Sequence, residues 1–175
     1  MIRLLGMVAL LLAGVAACAP PASYLAMVPE PPPAGAPAPA YRDAVTVGSV
    51  VLGNDPGTPW TSAVDPAQVR EALVQTLTAA GLAAGTSGRY RLDATLLTLN
   101  RPYAGFAMSV TAAIAYRLTE VGSGRVVYEK TVTGLGDASL DDAITNDDRL
   151  RIADQRAVRA NLQRLVQDLY ALPGR

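Results

Sequence analysis

Residues 106–120, FAMSVTAAIAYRLTE, decide the fold. Phe106, Met108, Val110, Ala112, Ile114, Tyr116 and Leu118 share one phase of a two-residue repeat. Ala107, Ser109, Thr111, Ala113, Ala115, Arg117 and Thr119 share the other. Successive strand side chains point to opposite faces, so this alternation predicts a strand with one buried face and one low, weakly polar face. VGSG at 121–124 turns the chain, and 125–134 answers through Val126, Tyr128 and Val132. The Gly-Ser-Gly connection between two alternating runs predicts a β-hairpin.

Working back from the hairpin, 90–100 (YRLDATLLTLN) alternates Tyr90, Leu92, Ala94 and Leu96 against Arg91, Asp93 and Thr95. Leu97 and Leu99 fall on the opposite phase, which predicts a bulge or a second buried surface near the strand end. Residues 42–52, RDAVTVGSVVL, are rich in β-branched side chains and read as another strand. Between these strands, Asp65-Pro66 opens a helix, since the carboxylate can cap and proline suits the first turn. Val69, Leu73, Leu77 and Ala80 form its apolar stripe, and Gly81 ends it. After the hairpin, a helix is expected over 148–172 with the stripe Val158, Leu162, Leu165, Leu169 and Leu172, stopped by Pro173-Gly174. Ala153, Ala157 and Ala160 permit a close neighbour. The element order is β-α-β-β-β-α. Two striped helices need one sheet face to cover, so the expected fold is α+β, a two-layer sandwich of a four-stranded sheet with both helices on one face.

Of 175 residues, half are hydrophobic, and 15 basic residues balance 15 acidic ones. No steering toward nucleic acid is implied, and no nucleic-acid partner is expected. Histidine is absent, which removes the commonest general base and the commonest zinc ligand. Lys130 is the single lysine. The one thiol, Cys18, is taken up by the leader described next.

Met1-Ile2-Arg3 precedes an uncharged run over 4–17, about 21 Å long as a helix. That is short of a bilayer core of about 30 Å, and the charged start with small residues at the end reads as a signal peptide over 1–17. Val15-Ala16-Ala17-Cys18 resembles the lipobox of bacterial lipoproteins. The resemblance implies cleavage before Cys18, a diacylglycerol thioether on its sulfur and acylation of the new amine. An ordinary signal peptide followed by a free thiol is the plainer alternative. Ala19, where enterobacterial lipoproteins retained at the inner membrane carry aspartate, favours the periplasmic side of the outer membrane, with the inner membrane as the alternative. Over 19–40, eight of 22 residues are proline. Neither helix nor sheet is expected there, and 18–40 reads as a lipidated cysteine and a Pro/Ala-rich tether, about 60 Å long if extended. The apolar cluster Tyr24-Leu25-Ala26-Met27-Val28 either docks on the domain or lipid surface or serves a partner. Residues 41–175 read as a periplasmic α+β domain.

Candidate chemistry is sparse. Asp137, Asp141, Asp142, Asp147 and Asp148 lack EF-hand spacing and read as a solvated loop capping the last helix, with no metal expected. There is no histidine base and no G-x-S-x-G, and Lys130 leaves only a Ser–Lys pair conceivable, so neither an enzyme nor a cofactor is expected. Trp60, in a Gly/Pro loop, and Arg101 and Tyr103, beside the turn before Phe106, are the candidate partner contacts, against plain core-edge roles. The element order resembles that of the lipopolysaccharide-assembly lipoprotein, with two helices on a four-stranded sheet, but the proline tether after Cys18 departs from it, and no contact residues carry over. The expected function is a non-enzymatic, membrane-anchored lipoprotein that binds or scaffolds another envelope component. The alternative is a small-molecule or lipid-binding module using space between sheet and helices, including a lipopolysaccharide-assembly accessory.

Overall fold

The computed structural model describes residues 22–33, 41–53, 64–101 and 107–173. The expected signal peptide, Cys18, Trp60, Tyr103 and Phe106 lie outside these residues.

The hairpin forms as β3 (Met108–Glu120) against β4 (Val126–Ala138), antiparallel from Met108↔Ala138 to Thr119↔Val126. β2 (Tyr90–Asn100) lies antiparallel on the other side of β3. β1 (Val45–Leu52) pairs parallel with β2, so the sheet order is β1-β2-β3-β4. A parallel pair requires a crossover, supplied here by α2 (Pro66–Ala79). α3 (Asn146–Ala171) follows β4. Both helices cover one sheet face, and the architecture is the expected α+β sandwich. Leu73 and Leu77 of α2 and Leu162 and Leu165 of α3 form one buried cluster with Leu92, Leu96, Ile114 and Leu118 of the sheet, all without solvent exposure.

Local chemistry explains the element ends. Asp65 accepts from the Gln68 N–H at 2.8 Å while the Gln68 side chain accepts from the Asp65 N–H at 3.2 Å, a reciprocal cap with Pro66 behind it. Gly81 takes a left-handed φ of 65° where α2 stops. The phase change at Leu97 is a bulge: the register shifts between Leu96 and Thr98, and Leu99 returns to the core. A second bulge lies between Val47 and Val50. The Asp93 carboxylate holds it, accepting from the Ser49 N–H at 2.8 Å and the Ser49 hydroxyl at 2.9 Å.

Three expectations need correction. β4 runs on to Ala138 rather than ending near Gly134, because Gly134 and Gly136 lie beneath the α3 backbone. α3 begins at Asn146 with Thr145 as its cap: the Thr145 hydroxyl oxygen accepts from the Asp148 N–H at 3.2 Å, so the loop aspartates are not the cap. The third correction is the largest. The proline-rich stretch does form a helix, α1 (Tyr24–Met27), packed against α2 and α3. Met27 is fully buried and Ala22 nearly so. The Gln68 amide donates to the Ala22 carbonyl at 2.6 Å, and the Arg159 Nε donates to the Ala26 carbonyl at 2.8 Å. Residues 22–33 are thus a strap on the outer side of the helix layer, in keeping with the docking alternative.

Met27→Ala should therefore destabilise the protein by about 3 kcal/mol in urea unfolding, as a buried methionine truncation does. Leu25→Ala, at a position 63% exposed, should change it by less than about 0.5 kcal/mol. Equal, negligible shifts for both would mean that the strap adds nothing to the fold.

Candidate functional site

Covering one sheet face leaves the other open. Its residues lie in rows across three strands, set by the pairing register: Asp93–Arg117–Glu129, Thr95–Ala115–Thr131, Thr98–Ala113–Thr133 and Asn100–Thr111–Leu135. The two middle rows are alanine and threonine, so this part of the face has little relief. The first row is charged and internally paired. The Arg117 guanidinium meets Glu129 at 2.6 Å, and Arg91 meets Asp93 at 3.0 Å. A shallow depression of about 500 Å³ lies between these rows, lined by Asp93, Thr95, Ala115, Arg117, Glu129 and Thr131. Burial alone would raise the Asp93 carboxyl, but Ser49 and Arg91 outweigh it, and its pKa is lowered.

At the hairpin end, Glu120 gathers three donors. The Ser123 hydroxyl donates at 2.7 Å, Arg89 donates to Oε1 at 2.7 and 2.9 Å, and Arg125 donates at 3.2 Å. Ser123, then Arg89, hold its carboxyl at about 2 against an ordinary 4.5. At the opposite end, Arg156 and then the Ser139 N–H hold Asp142 at about 2 against 3.8. Both folded-state values lie below the ordinary ones. Their stabilisation is therefore complete above the ordinary values and is lost as pH falls toward about 2. The urea midpoint should decline as pH is lowered from about 5 to about 2. Glu120→Gln combined with Asp142→Asn should flatten that decline; an unchanged slope would rule these two carboxylates out as its source.

The second concavity is a groove of about 540 Å³ on the outside of the helix layer, lined among others by Pro31, Pro33, Thr76, Ala80, Val166 and Tyr170. The Tyr170 hydroxyl, donating to the Ala80 carbonyl at 2.7 Å, ties α3 to the end of α2. Between sheet and helices, where the alternative reading puts a ligand, the described residues form the buried leucine cluster noted above. Asn161 inserts a polar side chain into the core: its amide donates to the Val132 carbonyl at 2.6 Å and the Ala112 carbonyl at 3.2 Å, and its Oδ1 accepts from the Tyr116 hydroxyl at 2.8 Å. Burial raises the Tyr116 pKa, so the phenol stays a neutral donor.

Arg101, expected as a partner contact, turns inward: its guanidinium pairs at 3.1 Å with Asp154, which is wholly buried in α3. The 53 positions between them leave no local signal of the pairing in the sequence. Nor does Lys130 face a serine. Its ammonium meets Asp168 at 2.8 Å, where the Tyr128 hydroxyl also donates at 2.7 Å. Of the acidic residues here, Asp142 in the loop bridges to Arg156 and Asp148 in the first turn of α3 to Arg151. Among the described residues, no group of three or more Asp, Glu, His or Cys is placed to hold a metal, and no helix is long and apolar enough to cross a membrane.

The fold has solved counterparts. A DUF330 protein from Xanthomonas campestris matches with a TM-score of 0.57 at 18% identity, covering 79% of this chain and 89% of that one. PelC from Paraburkholderia phytofirmans, a dodecamer, matches with a TM-score of 0.51 at 18% identity over 78% of this chain and 93% of that one. A minor lipoprotein from Acinetobacter baumannii matches at 0.48 and 14% identity over 74% and 91%. Likeness at these identities is a likeness of fold. No protein-family model matches the chain, and no curated protein does.

Proposed function

We propose that this chain is a lipoprotein, anchored through Cys18 to the outer membrane, whose periplasmic body binds or scaffolds another envelope component without catalysis of its own. The observation that carries this reading is the open sheet face. Its alanine–threonine rows are flat enough for close backbone approach, and the Asp93–Arg117–Glu129 row frames them with charges already paired. Three strands about 4.8 Å apart and some ten residues long, with their margins, present roughly 600 Å², near the about 800 Å² that each side of a standard protein interface buries. A face of short side chains loses little rotamer freedom on being covered. PelC, which shares the fold, is a dodecamer, so a second copy of this chain is one form the bound component takes.

A photo-crosslinking residue at Ala113 or Ala115, in cells, tests the proposal. Both positions should give the same adduct, and Glu71, on α2, should give none. Its mass separates a second copy from a different protein. No adduct, or equal labelling at Glu71, would sink the reading. The anchor is checked separately: Cys18→Ser should move the protein out of the membrane fraction.

The second reading is a carrier of a small apolar ligand, favoured by the 540 Å³ groove under the strap, whose volume falls within the range of small-molecule sites. A lipopolysaccharide-assembly accessory would be one version of it. Displacement of a groove-bound fluorescent fatty acid by the ligand would support it, and a groove that takes up no such probe would dismiss it.

A further inference from the structure

We infer that the end of the domain where β4 passes into α3, presenting Leu140 and Ile144, rests on the lipid leaflet that holds Cys18. The inference builds on the proposed anchor and fixes how the body is oriented on it.

The first argument is chain length. Only Ala19, Pro20 and Pro21 separate Cys18 from Ala22. Ala22 is no tether residue: it is buried, and its carbonyl is held by Gln68 in the first turn of α2. Four Cα steps reach at most about 14 Å. A body that could have stood some 60 Å away on a free tether is therefore held close to the bilayer by its own strap.

The second argument is which end the strap delivers. α2 follows β1, so it starts at the end where β1 stops, and the parallel β2 stops there too. β3 starts and β4 stops at the same end, since Met108 pairs with Ala138, and α3 starts just beyond. Farther along the strap, Ala26 meets Arg159, midway down α3, and Pro31 and Pro33 reach Ala80 and Tyr170 near the far ends of both helices. The strap thus runs away from the membrane, and its lipid-bearing start lies at the β4–α3 end.

The third argument is what that end displays. Ile144 is 89% exposed, the highest exposure among the large hydrophobics described, and Leu140 is 50% exposed. Their loop is built rather than loose. The buried Arg149 guanidinium donates to the carbonyls of Ala143 at 3.0 Å and Ile144 at 2.7 Å. The backbone is fixed, and the isoleucine side chain is held out into solvent. An apolar side chain so displayed gains on entering the headgroup–acyl boundary. Asp142 and Asp148 are neutralised by Arg156 and Arg151, while Asp141 and Asp147 remain on the surface. That charge pattern fits a zwitterionic surface and offers no attraction to an anionic one.

The test uses the full lipidated protein in liposomes of zwitterionic phospholipid. Flotation of the wild type, and its loss in Cys18→Ser, reports the anchor. An environment-sensitive dye is then placed at Ile144→Cys or, in the hairpin turn at the far end, at Val121→Cys, both exposed positions. Brominated lipids should quench the dye at 144 about twofold or more relative to 121. Protein that floats with equal quenching at both sites would overturn the orientation while leaving the anchor standing. Protein that does not float would overturn both. A spectral shift at 144 in native membranes but not in liposomes would assign the loop to a protein neighbour and also overturn it.

Discussion

Gly136→Ala should destabilise this protein by about 3 kcal/mol or more in urea unfolding, although it adds a single methyl group. The Cβ of an alanine at 136 would fall well inside van der Waals contact of the Ala153 carbonyl oxygen and the Ala157 nitrogen. These are backbone atoms of α3, which no rotamer change can move aside. Relief would require lifting the helix off the sheet and loosening Ala153, Ala157 and Val158, all fully buried. Gly134, two residues back along the strand and on the same face, lies likewise under Ala157 and Asn161. Gly122→Ala, in the hairpin turn with nothing near its Cβ, is the control and should shift stability by less than about 0.5 kcal/mol. Comparable shifts for 136 and 122 would mean that α3 does not sit on β4 as described.

Arg101→Met should cost about 2–4 kcal/mol by the same measurement. Asp154 is fully buried, and its Oδ2 lies 3.1 Å from the Arg101 guanidinium. Removing the cation leaves a carboxylate in a low-dielectric site with less to offset its lost hydration. The pair itself need not stabilise the fold, because burying two charges costs nearly what their attraction returns. Arg101→Met combined with Asp154→Leu should therefore recover most of the loss. A single-variant shift below about 0.5 kcal/mol would mean that Asp154 does not depend on the Arg101 guanidinium.

The sheet was legible in the sequence where local rules are sufficient. The hairpin follows from a two-residue repeat and a Gly-Ser-Gly turn, α2 from Asp65-Pro66, and the bulge at Leu97 from a single phase change. What stayed hidden depends on partners far along the chain. Gly134 and Gly136 resemble turn residues unless one knows that a helix 20 residues on crosses above them. Asn161 breaks an apolar stripe for the sake of Tyr116, 45 positions away. The strap is hidden because proline's lack of a donor argues against helix and sheet ladders. A segment lying across helices needs no ladder, and its carbonyls can accept from Gln68 and Arg159. The open alanine–threonine face was readable from the second phase of residues 106–120, whereas the inward pairing of Arg101 was not.

The strap also imposes an order of events on the newly made chain. Arg159 lies 133 positions beyond the carbonyl it binds, so the N-terminal segment has no seat until nearly all of the polypeptide has emerged. Loop closure over that span comes late. Until it does, the furrow between α2 and α3 lies bare and adhesive. A holding chaperone that captures this protein should therefore grip that furrow and be expelled when Met27 arrives.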